Sequence, residues 1–229
     1  MNTTARRQRP TSSSELWDLK WVREPQQDRS ARTRGKLLDA TEELLSTEGI
    51  GGVTIARVTK LANSSNGSFY HYFQDKNALL YAVVERRAIE VSVTVTQGLD
   101  PEIWSDIRLI DVLEGYVRFA LKSGKRSPGL LEAQQVLSQQ DTNIAARLAR
   151  TRRETRAALM KVLRPKLGQI GHANPQLALD MMFEVLRGMT SRRLDEITQK
   201  GSTELPKQSE EAFIRELRTM MAGYLLIED

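Results

Sequence analysis

Apolar positions along this chain recur at helical spacing. Between residues 29 and 48, Leu37, Leu38, Thr41, Leu44 and Leu45 fall at i, i+1, i+4, i+7 and i+8 and predict one amphipathic helix. Gly49 follows as a residue suited to the left-handed geometry that ends helices, Ile50 can fold back on the last turn, and Gly51-Gly52 make a loop. Thr54 is an N-cap candidate for a second helix, in which Ile55, Val58, Leu61 and Ala62 form the expected buried face. Asn63-Ser64-Ser65 interrupts the pattern with turn residues. Ser65 then caps a third helix, with Phe69 and Phe73 four residues apart and pointing inward. Left outward on it are Asn66, Ser68, Tyr70 and His71, with Gly67 between them and Tyr72 at the edge.

The pattern continues as helix. Asp75 is a natural N-cap for a segment from Lys76 to about Gln97, with Leu79, Leu80, Val83, Val84 and Ala88 on its buried side. Val91, Val93 and Val95 have strand propensity, but no turn separates them from the helical pattern before them, so helix is expected. Gly98 through Pro101 ends the segment. Further helices are expected over Asp106–Gly124, Pro128–Gln140 and Thr142–Leu163, the last stopped by Pro165. Asn174 caps a helix with Pro175 at its first position, running to Thr198. A loop, Gly201 to Pro206, leads to a final helix over Ser209–Ile227. The fold class is therefore all-α. A three-helix unit spans 29–75, a larger helical domain 76–229, and residues 1–28 form an arm too polar to bury much apolar area, apart from Leu16, Trp17, Leu19, Trp21 and Val22.

On the last two helices, Ala178, Met181, Met182, Val185, Leu186 and Met189 lie along one side of the first, and Phe213, Leu217, Met220, Met221 and Tyr224 along the second. Pattern alone leaves two readings: an intramolecular core, or a four-helix bundle with a second copy.

Composition narrows the chemistry. The chain of 229 residues has no cysteine, which excludes disulfides, thiolate zinc sites and cysteine nucleophiles and suits a reducing cytoplasm. No run approaches the roughly 20 apolar residues of a membrane span, and the first residues are polar, unlike a signal peptide. Net charge is +5, and residues 1–36 carry all of that excess, among them Arg29, Arg32 and Arg34. These arginines are either solvated charge or phosphate contacts.

Two short helices, a tight polar turn and an outward hydrogen-bonding face on the second helix are the physical form of a helix-turn-helix reader of DNA. The block from Arg34 to Val84 resembles the TetR family of bacterial transcriptional regulators. The resemblance rests on Leu37-Leu38-Asp39-Ala40, Leu44-Leu45, Glu48-Gly49, Val53-Thr54-Ile55, Val58, Leu61-Ala62, Ser65 through Phe73, Lys76 and Leu79-Leu80. Two departures stand out. Asn63 and Ser64 replace the family's usual glycine and apolar residue, and Arg57 replaces a frequently acidic residue, so no capping box forms with Thr54. The resemblance implies that Ser65, Asn66, Gly67 and Ser68 face base edges, and that Thr54, Tyr70, His71, Tyr72 and Lys76 bind phosphate oxygens.

It also implies a ligand-responsive repressor: a homodimer, paired through the last two helices, on palindromic double-stranded operator DNA in the cytoplasm. A small-molecule effector would bind in the helical domain. Trp104, Tyr116, Phe119, Met160 and Phe183 are candidate linings, although ordinary core is the better explanation of each. No cofactor, metal or membrane partner is expected. An enzyme is a poor reading, because the chain holds only His71 and His172, no nucleophile motif, and carboxylate pairs such as Asp111 and Glu114 that suit a solvated helix face. The alternative is a helical protein-interaction module with subordinate DNA binding.

Overall fold

The structure is a computed structural model that describes residues 32–198 and 208–227. The expectations for the 1–28 arm, for Arg29 and for the Gly201–Pro206 loop lie outside the described residues. Among the described residues the chain is all-helical: α1 (Arg32–Gly52), α2 (Ile55–Leu61), α3 (Asn66–Tyr72), α4 (Lys76–Gly98), α5 (Leu109–Lys125), α6 (Pro128–Gln140), α7 (Thr142–Leu163), a 3-10 segment (Arg164–Gln169), α8 (Pro175–Thr198) and α9 (Glu210–Leu225).

Helix starts follow capping chemistry. The side chains of Thr54, Ser65, Asp75 and Ser209 accept from the backbone N–H of Arg57, Ser68, Ala78 and Ala212, three residues on in each case. Asn174 does the same for Leu177 N–H at 3.1 Å. Gly49 takes φ 68° and kinks the end of α1, so that Ile50 turns back onto the core. The valine run stays helical to Gly98. Three ends differ from expectation. Helical turns resume after the Gly49 kink and run through Gly51-Gly52, expected as a loop. Pro165 stops the α-helix but not the coiling, which tightens into the 3-10 segment. Residues 106–108 are not helical, and α5 begins at Leu109, whose N–H is satisfied by Gln169 Oε1 at 2.8 Å.

The buried side chains form two clusters. One unites Leu37, Leu44 and Leu45 of α1 with Val58, Phe69, Phe73, Leu79 and Val83, and continues into Leu130, Ala133 and Leu137 of α6 and Leu148 of α7. The three-helix unit therefore shares its core with α4, α6 and α7 and does not close at residue 75. The other cluster fills the body between α5, α7, α8 and α9.

The apolar residues of the last two helices divide by face. Ala178, Met182 and Leu186 of α8 and Phe213, Leu217 and Met221 of α9 are buried in the body. Leu177, Met181 and Val185 of α8, with Met220 and Tyr224 of α9, are exposed. These residues at i, i+4 and i+8 make an outward apolar stripe on α8, and Leu177 extends it beyond the residues read from the sequence.

Candidate nucleic-acid interface

The turn between α2 and α3 sets the site. Asn63 takes φ 47°, Asn63 N–H donates to Lys60 O at 3.2 Å, and Ser64 N–H donates to Thr59 O at 2.9 Å. That pair of bonds is a Schellman motif, so asparagine does the work of the glycine that usually stands there. Inside the turn, the Thr59 hydroxyl lies 2.9 Å from Ile55 O and 3.2 Å from Asn66 Oδ1, tying the start of α3 to α2. Thr59 is buried and escaped the sequence reading; its place directly after Val58 on the inward stripe was the available signal. Leu61, expected inward, is 45% exposed, because the buried face at the end of α2 runs through Val58, Thr59 and Ala62 and leaves Leu61 on the other side.

Helix α3 is anchored by Phe69 and Phe73, both buried, with ring centroids 5.7 Å apart. Around them the predicted contact residues separate by role. Ser65 spends its hydroxyl on the cap, 3.1 Å from both Ser68 N and Ser68 Oγ. Asn66 is exposed, with its amide turned toward Thr59. Tyr70 is 59% exposed, set edge-on to Phe69 at 5.3 Å; His71 and Tyr72 stack edge-on at 4.8 Å and face outward. Thr54 is exposed at the start of α2. Lys76 is half-buried, and its ammonium donates to Ile50 O at 3.2 Å. It thereby braces the end of α1, with two further N–H donors left on the same group. Arg34 lies with its guanidinium 5.8 Å from the centre of the Phe73 ring.

Gly67 carries separate information. A Cβ built there would meet only Ser65 Oγ, at 3.7 Å, and no positive φ is involved. Nothing inside the chain requires glycine at this exposed helical position, where it weakens the helix relative to alanine by about 0.5–1 kcal/mol. Its effect is to leave the backbone bare of a side chain on the exposed face of α3.

Arg57, the departure at the cap, is accounted for. Its guanidinium pairs with both carboxylate oxygens of Glu48 and donates to Gly52 O at 3.1 Å, bolting α2 to the end of α1. The hydrogen bond from Arg57 holds the Glu48 carboxyl below its ordinary value, against a smaller opposing effect of burial.

The five candidate effector residues lie in or against the body core. Trp104 is fully buried, and its indole N–H donates to Gly98 O at 2.8 Å, pinning the turn between α4 and α5. Met160 and Phe183 are buried, and Tyr116 and Phe119 pack against them; Tyr116 and Phe183 stack at 5.3 Å, with Arg156 over Phe183 at 5.4 Å. A small groove opens elsewhere, between α4 and α7, lined by Tyr81, Val84, Ala88, Ile89, Ile144 and Leu148. None of the five reaches it: aromatic residues chosen for an interior pocket are what helix–helix packing uses to fill the interior. Asp111 and Glu114, which a catalytic reading would pair, are both bound by Arg218, at 2.9 and 2.7 Å. Among the described residues no group of His, Cys, Asp or Glu could hold a metal ion, and no helix is long and apolar enough to cross a membrane.

A capped brace helix, a Schellman turn and an exposed polar helix on an all-helical body define a helix-turn-helix protein. Residues 37–83 match the sequence profile of the bacterial regulatory proteins, tetR family. Over 64 residues the chain is 41% identical to the HTH-type transcriptional regulator BetI of Pseudomonas paraeruginosa, covering 28% of this chain and 32% of that one. Over 84 residues it is 34% identical to BetI of Cronobacter sakazakii, covering 36% and 42%. The chain thus spans about a third to two fifths of the length of these curated relatives. The fold is similar throughout to a crystal structure described as a TetR-family transcriptional regulator from Mesorhizobium loti, with TM-score 0.64 and 17% identity over 87% of this chain and 98% of that one. This chain is thus similar to TetR-family transcriptional regulators in sequence over residues 37–83 and in fold over most of its length.

Proposed function

We propose that this protein is a homodimeric DNA-binding repressor that places α3 of each subunit in the major groove of a palindromic operator, in the cytoplasm, and releases it when a small molecule binds the helical body. The observation that carries the reading is α3 itself. It has seven residues, too few to stand alone, yet two buried phenylalanines hold it rigid while Asn66, Gly67, Tyr70, His71 and Tyr72 are exposed and Ser68 is half-buried at their edge. A rigid polar surface with a bare backbone at its centre suits close approach to a duplex. In this reading Ser68, Asn66 and Gly67 meet base edges, with Ser65 positioning them. Tyr70, His71, Tyr72, Thr54 and Lys76 meet phosphates and set register.

Pairing is supported by the exposed stripe of Leu177, Met181 and Val185 beside Met220 and Tyr224, since apolar residues aligned on one face of two adjacent helices suit a symmetric partner. An effector site around Tyr116, Phe119 and Phe183 requires the body helices to part, with Met160 and Trp104 behind. By linkage, such a ligand weakens DNA binding by the same factor that DNA weakens its own binding.

The test joins sedimentation to DNA binding. The full chain is expected to sediment as a dimer and to bind a duplex from its own upstream promoter region, with affinity falling steeply with salt. Met181→Asp is expected to yield a folded monomer with at least tenfold weaker binding. A wild-type monomer that ignores the duplex at low ionic strength would overturn the reading and favour the interaction-module alternative.

A further inference from the structure

Helix α6 begins against the end of α1 with no side chain between them. A Cβ built on Gly129 would lie 1.9 Å from Leu45 O, 2.8 Å from Leu45 C and 3.1 Å from Gly49 Cα. All three neighbours are backbone, so no rotamer change relieves the contact. Elsewhere, a Cβ on Gly171 would meet Leu226 O at 2.8 Å just past α9, a looser backbone contact remote from the reader; one on Gly124 would meet only the Leu194 side chain, which can turn aside, and Gly51 and Gly168 face open space. Both partners at the crossing are stiff. Pro128 at the first position of α6 fixes its own φ, and Gly49 holds the kink of α1 at φ 68°.

This crossing lies on the route from the exposed α8 stripe to α3. Gln135 of α6 donates to Asp195 of α8 at 2.7 Å. Beyond Gly129, α6 buries Leu130, Ala133 and Leu137 in the same core as Leu44, Leu45 and Phe69. Another tie between α4 and the reader is ionic: Arg86 of α4 to Asp39 at 2.7 Å and Glu42 at 2.9 Å of α1. Long charged side chains follow small movements, whereas a backbone-on-backbone contact does not.

We propose that the close contact of Gly129 with Leu45 and Gly49 is the joint that sets the tilt of the DNA-reading unit on the body, and hence the separation of the two recognition helices in a dimer. This makes Gly129 a positioning residue for half-site spacing, remote from the bases. The inference rests on the proposed reading as a dimeric DNA binder. Adding one methyl must part α6 from α1 by about 1.1 Å to bring the contact out to the nearest distance that a Cβ tolerates. The α3 surface lies outside the contact and keeps its own chemistry.

Selection from a pool of random duplexes reads half-site sequence and half-site spacing separately. The full-length wild type is expected to select two half-sites at one preferred spacing. Gly129→Ala is expected to select the same half-site bases while its preferred spacing shifts by a base pair or more, with at least tenfold weaker binding to the wild-type spacing. Gly168→Ala, placed in open space, is expected to match the wild type. A folded Gly129→Ala with an unchanged spacing profile overturns the inference. Should far-UV circular dichroism show that Gly129→Ala does not fold, Ala133→Val, one turn further along the buried face of α6, decides it by the same criterion. A wild type that selects no duplex overturns the DNA-binding reading itself, a distinct result.

Discussion

Replacing Gly67 by alanine separates folding from function, because the two effects carry opposite signs. In the structure the added methyl meets only Ser65 Oγ at 3.7 Å, an ordinary van der Waals contact, so no strain is introduced. Alanine also restricts the unfolded chain and favours the helix. Because Gly67 sits in the first turn of α3, the gain falls at the low end of the usual range, about 0.5 kcal/mol. Against a duplex, the same methyl stands where the backbone must approach closely. Crowding of a well-packed contact costs about 1–3 kcal/mol, roughly fivefold to 150-fold in affinity. Urea unfolding should therefore show a midpoint equal to or slightly above that of the wild type, while fluorescence anisotropy with a promoter duplex shows the loss. A lower urea midpoint would mean that Gly67 is needed inside the chain. Unchanged affinity would mean that α3 does not present this surface to DNA. Phe69→Ala supplies the contrast: a fully buried ring is lost, stability falls by about 3–5 kcal/mol, and DNA binding fails through folding.

Tyr70→Phe keeps the ring contact with Phe69 and removes only the hydroxyl; affinity for DNA is expected to fall roughly tenfold with the slope of log affinity on log salt unchanged, as titrations at several salt concentrations would show. Asn63→Gly is expected to raise stability by about 0.5–1 kcal/mol and Asn63→Val to lower it by about 1–2 kcal/mol, since position 63 sits at φ 47°; equal urea midpoints for both would refute the strain argument. Asp111 tests the ionic tie between α5 and α9. Burial works to raise its carboxyl, but hydrogen bonds and charge from Arg108 and Arg218 outweigh burial and hold it below the ordinary value of 3.8. Its contribution is present above that value and lost as pH falls through the lower folded value. Thermal melts should show Asp111→Asn less stable than the wild type near neutrality, with the gap closing in acid.

The helices and the reader were legible in the sequence because they rest on local chemistry. Thr54, Ser65, Asp75, Asn174 and Ser209 each satisfy a backbone N–H three residues on, a relation contained within one turn. The inward places of Phe69 and Phe73 follow from their four-residue spacing, and the positive φ of Asn63 from a turn that asparagine tolerates. What the sequence could not show is which of several apolar faces meets which neighbour. Met181 and Met182 are adjacent and chemically identical, yet one is exposed and the other buried, because only the packing of α8 on α5 and α9 distinguishes them. Trp104 and Phe183 suited either a pocket lining or an ordinary core, and periodicity could not show that both are buried in the body. Nothing in the sequence marks Gly129, and only the fold brings the backbone of α1 against it. Periodicity and capping are decided within a few residues of chain. Contacts between elements far apart in sequence depend on how whole helices cross, and only the tertiary structure settles that.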